Sequence, residues 1–227
     1  MLKVNDDNIY EVVHSEIKKL GDNADLNHID VSEVTNMNRL FYVTRYNGDI
    51  SNWDVSNVEN MGEMFKNSPF NQDISKWDVS NVKYMRGMFS YSKFNQDISN
   101  WDVSSVENMN SMFYISLFNG DISKWDVSNV KYMYRMFSSS KFNQDISKWN
   151  VGNVKDMWGM FAYSKFNHNI SNWDVSRVID MRYMFFKSKF NQDISNWDVS
   201  SVKSMKRMFE HTQLTNKSGE EYFQQKV

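Results

Sequence analysis

Apolar and polar positions along this chain recur with a single period. Trp53, Trp77, Trp101, Trp125, Trp149, Trp173 and Trp197 lie 24 residues apart without an insertion. Phe70, Phe94, Phe118, Phe142, Phe166 and Phe190 keep the same step, as do the Met pairs from Met61/Met64 to Met205/Met208. The unit reads F-N-Q-D-I-S-x-W-D-V-S-x-V-x-x-M-x-x-M-F-x-x-S-x. A degenerate copy precedes it, with Leu26, Ile29, Val31, Val34, Met37, Leu40 and Phe41 in the same slots. Eight copies run from about Asp22 to about Gln213. A period of about 20–50 residues signals an array of stacked units. Strict spacing requires each coil to stack in register on the last.

Two shorter periodicities lie inside the unit. Val82, Met85, Met88 and Phe89 fall on one face of a short helix, with Ser80 placed to cap its first turn. The segment "DISKWDV" has β-branched and aromatic residues in near-alternation and predicts a short strand. Ile74 and Trp77 are three apart, so a bend must separate them if both point inward. One short strand and one short helix per coil predict an α/β repeat, a right-handed leucine-rich-repeat-like solenoid. A propeller fits less well, because a blade needs four strands and about 40 residues.

The ends complete this picture as one domain. Ile9, Val13, Ile17 and Leu20 form one stripe of a helix over residues 8–20, and Gly21 is positioned to stop it. Residues 1–21 are therefore an N-terminal capping helix and residues 22–213 the solenoid coils. Residues 214–227, where "TNKSGEEYFQQKV" abandons the pattern, supply a polar C-terminal cap.

The segments "FNQDISNWDVSSV" and "MKRMF" closely resemble the repeat of the BspA-like leucine-rich-repeat surface proteins of bacteria. The opening "ADLNHIDVSEVTNMNRLF" is similar to the segment that often precedes those repeats, and the likeness spans about Leu26 to Phe209. The resemblance implies a right-handed β-solenoid with short helices, exported to or displayed on the cell surface, with a role in attachment or recognition. It implies no catalytic residues.

Composition narrows the chemistry. Aromatics make up 15% of the 227 residues, and Met (16) outnumbers Gly (8) and Pro (1), which is the profile of a folded chain. There is no Cys, which excludes a disulfide framework, a thiolate zinc site and a thiol nucleophile. No apolar run is long enough to span a bilayer, so no membrane insertion is expected. The N-terminal segment is too acidic and too interrupted for a signal peptide. His14, His28, His168 and His211 show no metal-ligand spacing, and no nucleophile elbow or phosphate loop occurs. The reading is of a non-enzyme with no cofactor.

Two Asp columns raise the question of metal. One runs Asp49, Asp73, Asp97, Asp121, Asp145, Asp193; the other runs Asp54, Asp78, Asp102, Asp126, Asp174, Asp198. Stacked carboxylates repel, and calcium would relieve that. Alternatively each carboxylate accepts backbone N–H bonds in its own turn. Asn169 and Asn150 interrupt the columns once each, keeping the oxygen and dropping the charge, which favours turns over metal. The Asn column from Asn47 to Asn191 suits a structural ladder.

The variable slots carry the functional expectation. The slot after Val holds Glu59, Lys83, Glu107, Lys131, Lys155, Ile179 and Lys203, so Glu and Lys alternate in early coils and basic residues take over later. Nearby slots add Tyr132, Tyr134, Arg135, Trp158, Arg182, Tyr183, Lys206 and Arg207, with Tyr134 and Trp158 in the same slot of adjacent coils and expected to touch. Residues 1–120 carry a net charge of −7 and residues 121–210 a net +5, inside a total of −2. Tyr, Trp and Arg are enriched at contact hot spots. Together these residues predict a surface that binds a protein or glycan. A structural spacer, or a rod assembling head to tail through its opposite charges, is the alternative. Nucleic-acid binding by the basic patch is a remote third.

Overall fold

The computed structural model describes residues 2–214 and 219–224. Its coils meet along one row: Asn36, Asn60, Tyr84, Asn108, Tyr132, Asp156, Asp180 and Ser204 are joined in that order by parallel bridges. This row has one residue for each of the eight copies. The chain is a repeat protein in which each 24-residue coil is hydrogen-bonded to the next.

The expected alternation of strand and helix within each coil does not form. Among the described residues of the array, strand is confined to Ile29–Asp30, and no helix occurs. The segment read as a helix is a run of turns whose alternate N–H groups point along the stack. Met61, Glu63, Phe65 and Asn67 donate to the carbonyls of Tyr84, Arg86, Met88 and Ser90 at 2.9, 2.7, 3.0 and 2.8 Å. Between them, Met64 and Lys66 donate to the carbonyls three residues back, at 3.3 and 3.2 Å. A helix would need all these donors for itself. The path is turned by left-handed residues four apart, such as Glu63 (φ 53) and Asn67 (φ 54). Among the described residues, fourteen non-glycine residues adopt this conformation. Each costs on the order of 1–2 kcal/mol, which the bonds to the neighbouring coil offset.

The segment read as a strand is likewise built of tight turns. Asp73 accepts the Ser75 N–H at 2.8 Å, Trp77 donates its N–H to Ile74 O at 3.2 Å, and Asp78 accepts the Ser80 N–H at 3.1 Å. The Ser80 hydroxyl donates to Asp78 at 2.6 Å, so Ser80 caps no helix. What the periodicity did fix is orientation: Val82, Met85, Met88 and Phe89 are all buried.

The core is a set of columns. Successive Phe113, Phe137 and Phe161 rings stack 5.8 and 5.7 Å apart, and Phe118 lies 4.2 Å from Phe113 in a parallel column. Each column Trp is buried, and its indole N–H donates to a carbonyl of the preceding coil, as Trp125 does to Ile98 at 3.0 Å. This satisfies the one polar group of an otherwise apolar side chain.

The first coil is covered by the N-terminal segment. Strand β1 (Leu2–Lys3) pairs in parallel with β2 (Ile29–Asp30), and helix α1 (Ile9–Leu20) buries Ile9 and Val13. Gly21, at φ 98, ends α1 and donates its N–H to Ile17 O at 2.8 Å. At the other end, α2 (Gly219–Gln224) places Tyr222 4.9 Å from Phe209, and the Tyr222 hydroxyl donates to Asp193 at 3.2 Å. Residues 215–218 and 225–227 of the expected C-terminal cap lie outside the described residues. Among the described residues, no helix is long and apolar enough to cross a membrane.

Candidate binding site

The repeated polar residues act within the array. Asp97 and Asp121 accept the N–H of Ser99 and Ser123 at 2.9 Å, and Asn169 makes the same bond to Ser171 at 2.9 Å. In the second column, Asp102 and Asp126 accept from Ser104 and Ser128 at 3.0 Å, and Asn150 from Gly152 at 3.2 Å. The Asn interruptions thus keep the turn bond intact. Bonds from the Ser99 backbone and side chain hold Asp97 below the usual carboxylate range, although Asp73 and Asp121 push it upward. The Asn ladder is present too: Asn95 Oδ1 accepts the Asn119 N–H and Asn119 Oδ1 the Asn143 N–H, both at 2.8 Å.

The variable residues divide into two groups. Several spend their side chains on neighbours or lie apart. Lys83 reaches Glu59 at 2.9 Å and Lys131 reaches Glu107 at 2.6 Å, so the alternating Glu and Lys of the early coils pair between neighbours. Arg182 pairs with Asp180 at 2.5 Å. Tyr132 stands exposed on the bridge row. Lys155, Lys203 and Lys206 are exposed and form no ion pair among the described residues.

The others come together. Tyr134 and Trp158 stack with centroids 4.5 Å apart and planes 4° from parallel. The Arg135 guanidinium carbon lies 4.2 Å from the Trp158 ring centre and 5.5 Å from that of Tyr114. Tyr183 meets Trp158 edge-on at 5.8 Å, and Arg207 lies 5.7 Å over Tyr183. Tyr134, Arg135, Trp158, Tyr183 and Arg207 therefore belong to one cluster spread over four successive coils.

Beside this cluster is a groove of about 360 Å³. Ser138, Ser139, Gly159 and Ala162 line it as small residues, next to the rings of Tyr114, Trp158, Tyr163, Tyr183 and Phe186. Gly159 occupies the slot that holds Arg135 in the coil before and Tyr183 in the coil after. It is left-handed (φ 61), and a Cβ there would already touch Arg135 Cγ at 3.4 Å. A larger side chain would intrude on the space beside the arginine.

Tyr114, Tyr163, Phe186 and Lys187 were not among the sequence candidates. Tyr163 and Phe186 meet edge-on at 5.3 Å, and Lys187 Nζ lies 5.4 Å over Phe186. They follow the buried Phe of each unit, where the expected helix would have ended. The signal was the variability of that slot, which holds Tyr114, Ser138, Ala162 and Phe186 in successive copies.

Three overlapping stretches, residues 10–117, 91–165 and 141–227, match the model of a family described as Mycoplasma protein of unknown function, DUF285. No curated protein and no solved structure matches the chain.

Proposed function

Because the chain belongs to this DUF285 family of unknown function, we propose its role from the site itself: a non-enzymatic recognition module that binds a protein or glycan. The observation that carries this reading is the groove beside Arg135, Trp158, Tyr163 and Tyr183. Tyr and Trp supply contact area at a low entropic cost, and ring contacts already hold Arg135 in place. Here they stand on a backbone whose coils are bonded to one another throughout, so little ordering remains to be done on binding. The likeness of the repeat to the BspA-like surface proteins supports attachment or recognition, on a solenoid wound right-handed.

The test is capture of partners from host and envelope fractions by the full chain and by a variant with Tyr134 and Trp158 both changed to Ala. Loss of a captured partner with the variant supports the reading; identical capture by both sinks it.

Charge distribution favours a second reading. The net −7 of residues 1–120 and +5 of residues 121–210 suit a spacer or rod that assembles head to tail. Light scattering against salt separates the two, because such assembly dissociates as salt rises while a monomer scatters the same throughout.

A further inference from the structure

We infer that the groove recognises a carboxylate-bearing sugar of a glycan, with Arg135 meeting the carboxylate and Trp158, Tyr163 and Tyr183 meeting the sugar's C–H surface. The inference rests on the recognition reading above.

The arginines point to an anion. Of those in residues 121–210, Arg177 donates to Asn153 at 2.6 Å, Arg182 to Asp180 at 2.5 Å and Arg207 to Glu210 at 2.5 Å. Among the described residues Arg135 has no such acceptor. It is held by rings instead, 4.2 Å from the Trp158 centre and 5.4 Å from that of Tyr134. Ring contact fixes the guanidinium while leaving its N–H donors uncommitted, and their fork geometry matches a carboxylate. No Asp or Glu lines the groove.

The backbone points to a sugar rather than a peptide. A peptide strand needs unpaired N–H and C=O groups to dock against. Here those groups are used along the stack. Arg135 N–H donates to Trp158 O at 2.9 Å, Gly159 N–H to Arg182 O at 2.8 Å, and Tyr163 N–H to Phe186 O at 2.7 Å. What remains available is ring surface and hydroxyl. The negative face of an aromatic ring suits polarised C–H groups, and the hydroxyls of Ser139 and Tyr163 suit sugar hydroxyls. A volume of about 360 Å³ is at the small end for ligand sites, in keeping with one sugar unit of a longer chain.

Calorimetric titration of the full chain tests this with defined probes: a glucuronate-containing hyaluronan tetrasaccharide, 3′-sialyllactose, neutral chitotetraose and tetraglutamate. We expect at least one acidic sugar to bind at least tenfold tighter than the neutral one. Arg135→Gln and Trp158→Ala should each weaken it at least tenfold, while Lys18→Gln, an exposed change on α1 at the far end of the array, leaves it unchanged. Thermal melts of the variants confirm that the coils remain folded. Equal affinity for chitotetraose, equal affinity for tetraglutamate, indifference to Arg135→Gln, or no binding of either acidic sugar overturns the inference. If neither acidic sugar binds but Trp158 still governs capture of a protein, this inference falls and the recognition reading stands.

Discussion

Asp6 bonds Thr35 as though it were a carbonyl of a coil preceding the first. Its Oδ1 accepts the N–H groups of Thr35 and Asn36 at 2.8 and 2.9 Å, and its Oδ2 takes the Thr35 hydroxyl at 2.6 Å. One coil on, Thr35 O accepts the N–H groups of Glu59 and Asn60 at 2.8 and 3.2 Å. In the coil after that, Glu59 O does the same for Lys83 and Tyr84. A single carboxylate oxygen thus terminates a ladder that every other coil terminates with its predecessor's backbone.

Asp6→Ala should therefore fray the first coil. Two exposed donors lose their acceptor, a net cost of about 0.5–1.5 kcal/mol for each. Fraying lets water take them, so global stability should fall less than that. Hydrogen exchange at Thr35 and Asn36 reads the effect directly, with faster exchange there and little change in the central coils. Burial pushes the Asp6 carboxyl up, but the bonds from Thr35 and Asn36 outweigh it and hold the group low. A lowered folded pKa means that this stabilisation is present above the unfolded pKa and lost as pH falls through the folded one. Asp6→Asn should remove that acid-dependent step.

Trp125→Ala, in the middle of the stack, should cost about 3–5 kcal/mol. It empties a buried site beside Phe113 and leaves Ile98 O without the indole N–H that donates to it at 3.0 Å. The same change at Trp53 should cost less globally, because end coils open on their own. Denaturant melts of the two variants check this. Equal losses with equally sharp transitions would contradict a nearest-neighbour stack.

The inward faces were legible in the sequence because burial follows side-chain spacing alone. Val82, Met85, Met88 and Phe89 point inward as expected. The backbone path was not legible, because the same spacing is met by turns with left-handed residues at Gly87 and Tyr91. A helix keeps its N–H groups within the coil, whereas here alternate donors serve the next coil, and no local pattern reports that choice. Gly87, Gly159 and, more weakly, Asn67 hinted at left-handed backbone within the array, whereas tyrosine or lysine at such positions carries no flag. The same gap explains the partial reading of the site. Tyr134 and Trp158 share a slot and do stack. Tyr163 and Phe186 reach the groove only because the turns after each buried Phe bring them there.

Asp156→Asn should stabilise the protein at neutral pH. Burial pushes the Asp156 carboxyl up, the Trp158 N–H pulls it back down, and the charge of Asp180 in the next coil adds to the rise. The bond worth keeping is the one from Trp158 N–H at 2.9 Å. An Asn oxygen makes that bond already at Asn60 and Asn108, to Gly62 and Asn110, both at 2.9 Å. A raised folded pKa means that the charged form costs stability above it and the protonated form does not. The gain in melting temperature should therefore be present at pH 7 and shrink as pH falls through the Asp156 titration. A gain that grows on acidification would refute the assignment.

The final prediction concerns calcium and the two Asp columns. If their carboxylates serve as turn acceptors, chelation should leave the melting temperature unchanged and millimolar calcium should add nothing. Ligand binding to the native state alone would raise stability by about 2.7 kcal/mol at a hundredfold excess over the dissociation constant. For a chain of this length that is a shift of several degrees, easily seen in a melt. No shift is expected, because Asn150 and Asn169 make the same turn bonds without the charge that a cation would need. Acid should act where calcium does not. Serine hydrogen bonds hold Asp97, Asp102 and Asp121 low, so their stabilisation is complete above the unfolded value and fades below about pH 4. A rise in melting temperature with calcium that disappears on chelation would overturn the turn-acceptor role.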